Sequence, residues 1–370
     1  MTFDDLVRMA TGKKNPPRRG GDAAAPEADE DLVVGAGENA SGANASRANG
    51  NKLKIGIALG GGAARGWSHI GMLRVLMREG IVPDVVAGTS IGAVVGGCYA
   101  AGKLDDLEVF ARSLTRRRVI GLLDFSLSAS GLIAGEKLRQ LLEEDLGAGR
   151  IEDLPIRFGA IATEIMTGHE IWLTRGRLLD AISASYALPG IMNPVRIRNR
   201  LLVDGTLVNP VPVTAARALG ADVVLCVNLN GDLKLRGTTI QSIHNDDDAH
   251  DPDHVTDDPA AENPGLFSPM LDPVLGAADR LRGRDPARRV APGMAKVMID
   301  AFNITQDRIS RSRLAGDPPD LMISPKLARI GLFEFHRADE IIRLGEEATQ
   351  RALPDIRELL AEAEELAAAR

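Results

Sequence analysis

The sequence predicts an α/β fold: a mostly parallel central sheet covered on both faces by helices. Two stretches carry that expectation. Leu53 to Leu59 (LKIGIAL) reads as a buried strand and runs into a glycine-rich turn and a helix from about Gly66 to Arg78. A second short strand, near Val85 to Ala87, leads directly into GTSIG and another helix. Strand, helix, strand, helix is the signature of parallel strands joined by crossover helices. Composition agrees: 44% of the 370 residues are hydrophobic but only 3% are aromatic, so Ala, Val, Leu, Ile and Gly do most of the packing.

The other elements follow in order. Residues 11 to about 51 are small, polar and without periodicity, so residues 1–51 are expected to form a disordered extension. IRFGAIATEI and HEIWLT read as strands around the turn Met166-Thr167-Gly168, and Arg177 to Tyr186 as a helix stopped by Pro189. RLLVDG and ADVVLCVNL are further strands, with a helix near Pro212 to Leu219 between them. From 231 to 293 the pattern gives way to an acidic and then basic, Pro-bearing stretch. It reads as a disordered insertion, with a short helix near Val274 to Arg282. Helical periodicity returns from Met294 to Arg313, and DLMISP is a last strand. Two terminal helical segments separated by Pro354 are expected, the second (355–370) lying outside a catalytic domain of residues 52–354.

Several function classes fall away. A net charge of −7 argues against a nucleic-acid partner, which asks for a basic patch. Cys98 and Cys226, the two cysteines, lie in apolar runs and read as buried thiols, in keeping with a cytoplasmic protein. The start MTFDDLVRMA lacks the basic, then apolar, pattern of a signal peptide. The uncharged run Val85 to Gly102 places Gly88, Gly92 and Gly96 at four-residue spacing, as in packed membrane helices, but it is Gly-rich, marginal in length and without Leu or Phe. Oligomeric state leaves no signal.

Gly60 to Gly66 reads GGGAARG between a strand and a helix. A P-loop would place lysine where Trp67 stands, and a dinucleotide fingerprint starting at Gly61 meets Ala63 at its third position. What remains is either a plain tight strand-to-helix connection or a turn whose backbone N–H groups, at a helix N-terminus, bind an anion, a phosphate or a transient oxyanion.

GTSIG matches Gly-x-Ser-x-Gly in its required context, strand before and helix after. Ser90 would then project above the sheet at the positive end of a helix, with Gly88 and Gly92 relieving crowding. A serine nucleophile needs a base. Among the six histidines, His244, His250 and His254 lie in the acidic insertion, His69 precedes the serine, His169 sits at a hairpin and His336 opens an amphipathic helix. None is placed for a triad. Asp204 ends the apolar strand of RLLVDG beside Gly205, at the edge where open α/β sheets hold their sites; alone it would read as an Asp-Gly turn.

ALGGGAARGWSHIGML, GTSIGAVVG and VDGTLVNPVPV, in this order, resemble the patatin-like phospholipase family, as does ASYALPGIMNPV before the aspartate. The resemblance spans about Leu53 to Asn230 and resumes from about Met294 to Pro354. It implies a three-layer sandwich and hydrolysis of lipid esters, phospholipids or lysophospholipids, by a Ser90–Asp204 dyad needing no metal or cofactor. Backbone amides of Gly61, Gly62 and Ala63 would form the oxyanion hole, with Gly60, Arg65, Gly66, Gly88, Gly92 and Gly205 supporting the motifs. It also implies transient contact with a membrane surface. Arg65 reads as a brace for the loop, with attraction of a lipid phosphate as the alternative. The chain departs from the family at Ala63, where glycine is usual, and at Thr206, where Ala or Gly follows Asp-Gly. A methyl at 63 is tolerated at an ordinary φ and costly at a positive one, and Thr206 is expected to matter less. A non-enzymatic regulatory or membrane-docking protein on the same fold is the rival reading.

Overall fold

In the computed structural model, residues 33–34, 53–122, 139–140, 142–143, 146–189, 191–230 and 294–369 are described. The expected insertion 231–293 with its short helix, and all of the N-terminal extension except residues 33 and 34, lie outside them. β2 (Ile55–Leu59) and β3 (Val85–Thr89), with β1 (Val33–Val34) before them, begin a nine-stranded sheet. It continues with β4 (Arg157–Glu164), β5 (Glu170–Leu173), β6 (Val195–Ile197), β7 (Arg200–Asp204), β8 (Val223–Val227) and β9 (Leu321–Ile323). The path runs β1-β5-β4-β3-β2-β8-β9, and the five strands from β4 to β9 are parallel. β5 pairs antiparallel with β4, and β7 does so with the outer half of the same strand. β1 pairs with β5 from inside the stretch expected to be structureless.

Alternation along the strands builds two cores. Ile57, Leu59, Val86 and Leu225 face one side, where α1 (Ser68–Arg78), α2 (Ile91–Ala100), α5 (Leu178–Tyr186) and α8 (Ala338–Ala368) pack. Between α2 and α5 come α3 (Leu104–Arg112) and α4 (Arg116–Leu122). Ala58, Ala87, Ile161, Val224 and Cys226 face the other side, towards α6 (Val213–Ala218) and α7 (Met294–Gly316), whose Leu314 packs there. The result is a three-layer sandwich. Strands buried on both faces explain the near-continuous apolar runs in the sequence. Cys98 lies in the first core and Cys226 in the second, where burial pushes its thiol up to about 12.

The run Val85 to Gly102, which the sequence already disfavours as a membrane span, forms β3 and the ten-residue α2, every residue of which is buried in protein. Among the described residues no helix is long and apolar enough to cross a membrane. The break expected at Pro354 is also absent: α8 runs through it for 31 residues, so the stretch from 355 to 368 continues the same helix. Proline removes one N–H and crowds the preceding turn. Burial on both sides of it, Ala348 and Thr349 before and Ile356 after, holds the helix together. α8 crosses α1 at backbone contact, where a Cβ on Gly345 would stand 2.0 Å from the Ser68 carbonyl oxygen.

Candidate active site

At the carboxyl end of β3 the chain reverses into α2 through Ser90, whose backbone stands at φ 56°, ψ −123°. L-residues populate that combination sparsely, and holding it costs about 1–3 kcal/mol. Three contacts hold it here. The Ser90 carbonyl accepts from the N–H groups of Ala93 and Val94, starting α2. Its own N–H donates to Ser185 Oγ at 2.9 Å, and Ser185 Oγ donates to the Ile161 carbonyl at 2.6 Å. Gly92 lies against β2, where a Cβ would come within 2.1 Å of the Leu59 carbonyl oxygen. The elbow is wedged between α5 and the sheet.

The Ser90 hydroxyl donates to Asp204 Oδ2 at 2.7 Å. Asp204 ends β7, and the antiparallel register against β4 sets it opposite Ala162. Its backbone is fixed on both sides: its N–H donates to the Ala187 carbonyl, and its own carbonyl accepts from Thr163 Oγ1 at 2.9 Å. Oδ1, the other carboxylate oxygen, accepts from the Thr206 N–H at 2.8 Å and from Thr206 Oγ1 at 2.7 Å. Ser90 is 9% exposed and Asp204 only 2%. Burial pushes the Asp204 carboxyl up to about 6, against the opposing pull of the Ser90 and Thr206 hydrogen bonds. An acceptor that titrates there is ionised at neutral pH and yet basic enough to take a proton.

Among the described residues, no histidine bonds to either partner. His69 instead bonds the Gly60 carbonyl through Nε2 at 2.8 Å. A carbonyl only accepts, so Nε2 carries the proton, and burial lowers the ring to about 4, keeping it neutral. His336 accepts at Nε2 from Arg116 Nε in the turn before α8. His169, at the β4–β5 turn, lies 4.0 Å from Glu164.

The glycine loop leaves β2 beside the serine. A Cβ on Gly61 would stand 2.2 Å from Thr206 Cγ2 and 3.4 Å from Ser90 Cβ, so only glycine fits. The Gly61 N–H donates to the Pro210 carbonyl at 2.9 Å and is not available to a ligand, a correction to the expected trio. The N–H groups of Gly62 and Ala63 have no hydrogen-bond partner among the described residues. Ala64 donates to the Leu332 carbonyl, and buried Arg65 donates from Nε to the Ile330 carbonyl and from Nη1 to Asn230 Oδ1. Arg65 thus braces the loop, its guanidinium taken up by protein groups.

Ala63 stands at φ 49°, half-buried. This is the left-handed region, which costs an alanine about 1–2 kcal/mol. Ala63→Gly relieves that strain while loosening the unfolded chain, so thermal melting is expected to show stability unchanged or raised by up to about 1 kcal/mol. Ala63→Val, a β-branched residue at positive φ, is expected to melt clearly lower. Unchanged melting of the valine variant would contradict the strained loop.

The family model for patatin-like phospholipases matches residues 57–217, a stretch holding the loop, Ser90 and Asp204. An uncharacterised NTE family protein of Mycobacterium tuberculosis is 34% identical over 328 residues, covering 81% of this chain and 91% of that protein. The lysophospholipase NTE1 of Yarrowia lipolytica is 36% identical over 180 residues, 47% of this chain and 12% of that one. A patatin-like phospholipase domain-containing protein of Caenorhabditis elegans is 38% identical over 190 residues, covering 47% of this chain and 13% of that one.

Proposed function

The chain belongs to the patatin-like phospholipase family, and from that premise we propose that it is a serine acyl hydrolase acting on phospholipid or lysophospholipid esters. The observation that carries the reading is the 2.7 Å hydrogen bond from Ser90 Oγ to a buried carboxylate with no histidine between them. Ser90 Oγ attacks the ester carbonyl as its proton passes to Asp204 Oδ2. Negative charge gathers on the carbonyl oxygen, towards which the Gly62 and Ala63 N–H groups donate; one such donor contributes about 10²–10³ in rate. Collapse of the tetrahedral species expels the alcohol, which takes the proton back from Asp204. Water, deprotonated by the same carboxylate, then attacks the acyl-enzyme and frees the fatty acid and Ser90. No step calls on a metal or cofactor.

Incubating the protein with vesicles of mixed phospholipids and lysophospholipids, and identifying products by mass spectrometry, tests the substrate class. Free fatty acid with the matching deacylated lipid is expected. Release of a headgroup with the acyl chains intact, or no turnover, would defeat the reading.

Because Asp204 must be ionised to accept the proton, kcat/KM on a soluble ester is expected to rise with pH through an apparent pKa near 6. A limb near the ordinary carboxylate value, about 4, would show that the site leaves the group unperturbed.

A further inference from the structure

The inner face of α7 is polar where it meets the site. Asn303, Gln306 and Ser310 follow one another at helical spacing, and Gln306 and Ser310 are buried. Gln306 Nε2 donates to Thr206 Oγ1 at 2.8 Å, and Thr206 Oγ1 donates in turn to Asp204 Oδ1 at 2.7 Å. A second tether runs from the same helix: Arg313 pairs with Glu170, which accepts from Asn209 Nδ2, and the Asn209 carbonyl accepts from Thr89 Oγ1, beside Ser90. α7 therefore grips both halves of the pair.

Resting on the hydrolase reading, we propose that Gln306 is a positioning residue: through Thr206 it fixes the Asp204 carboxylate and favours its charged form. The chemistry is directional. An amide N–H that donates to Thr206 Oγ1 occupies a lone pair, so the hydroxyl proton is left to point at Oδ1. Accepting one bond also strengthens the bond the hydroxyl donates. With Oδ1 holding two donors, Oδ2 is kept for Ser90. Thr206, one of the two departures from the family pattern, is the link, and replacing it by Ala or Gly would remove the hydroxyl.

The groups that act on the carboxyl are the Ser90 hydroxyl and the Thr206 amide and hydroxyl. Charged side chains on the surrounding elements are engaged with one another: Glu164 of β4 with Arg200 of β7, Glu170 of β5 with Arg313 of α7, Asp307 of α7 with Arg311, and Asp180 of α5 with Arg139.

The test is the pH dependence of kcat and KM on a soluble ester for Gln306→Leu, Thr206→Val, their combination and Thr206→Ser. Valine keeps the threonine's shape, so the relay can be read even where the leucine variant folds poorly. Thr206→Val is expected to move the acid limb up by about one pH unit. Gln306→Leu should move it by about half as much and lower kcat about 2- to 3-fold at pH 6, with KM within about two-fold. The double variant should match Thr206→Val, and Thr206→Ser should keep the wild-type limb. A Gln306→Leu limb at the wild-type position, or losses that add in the double variant, would overturn the proposal. Failure of the hydrolase reading shows differently, as wild-type protein with no ester turnover. The relay is then read without substrate, as the pH at which the melting temperatures of wild type and Asp204→Asn diverge: that pH should rise in Gln306→Leu and stay put if the proposal is wrong.

Discussion

Ser90→Ala is expected to lower kcat/KM on a soluble ester by about 10⁴–10⁶-fold, the scale on which enzymes lose a nucleophile that acts with its base as a unit. The reason is local. The hydroxyl donates at 2.7 Å to Asp204 Oδ2, and the other hydroxyl held as close, Thr206 Oγ1 on Oδ1, already accepts from Gln306. The substitution removes one oxygen and leaves the elbow's three backbone supports in place, so circular dichroism and cooperative melting should survive it. Ser90→Gly sharpens the argument. It is equally inactive, but glycine tolerates φ 56° and ψ −123°, so it should melt above the alanine variant by relieving part of the strain. An alanine variant that keeps even a hundredth of wild-type activity would remove Ser90 from the chemistry.

Asp204→Asn is expected to cost about 10³–10⁴-fold in kcat, since an amide cannot take the serine proton. Its effect on stability should run the opposite way. The folded carboxyl sits at about 6, above its ordinary value of 3.8, so the native state holds the proton more tightly than the unfolded chain. That contribution to stability is complete below about pH 4 and is lost as pH rises through about 6. Above it, the protein carries a buried ionised carboxylate. Asparagine preserves the hydrogen-bond pattern, accepting from Thr206 and donating to Ser90 Oγ, without the charge. The variant should therefore melt higher than wild type at pH 8, and the gap should shrink towards pH 4.5. Equal melting curves across that range would mean the carboxyl is not perturbed by burial.

The sheet is legible because parallel strands buried on both faces leave near-continuous apolar runs, such as IGIAL and VVLCV. Ser90 and Asp204 were legible as an elbow and a strand end. Their 2.7 Å contact depends on the antiparallel docking of β7 on β4, which no local pattern encodes. The Gly61 amide's engagement is illegible for the same reason: its acceptor, Pro210, is 149 positions away in the chain. At Thr206 only the bend at Gly205 shows in the sequence, whereas the hydroxyl's contact with Gln306 depends on α7, beyond the insertion. Ser185 leaves no distinctive mark within ASYALPG, because its helix also carries Asp180 and Ser183 and its bond to the Ser90 N–H depends on how that helix docks. His69 looked idle beside the triad question, and its bond to the Gly60 carbonyl appears only when α1 folds back along the loop. Pro354 misled in the other direction, since tertiary burial of Ile356 outweighs the local break.

The most direct measurement of the dyad is covalent. Wild-type protein incubated with a fluorophosphonate at pH 7.5, digested and mapped by mass spectrometry, is expected to carry a single adduct on Ser90. Labelling should disappear in Asp204→Asn and fade below pH 6 with the ionisation of the carboxylate. An unlabelled Ser90 in folded wild-type protein, an adduct on another residue, or labelling that persists unchanged in Asp204→Asn would contradict the assignment of Ser90 as a nucleophile activated by Asp204.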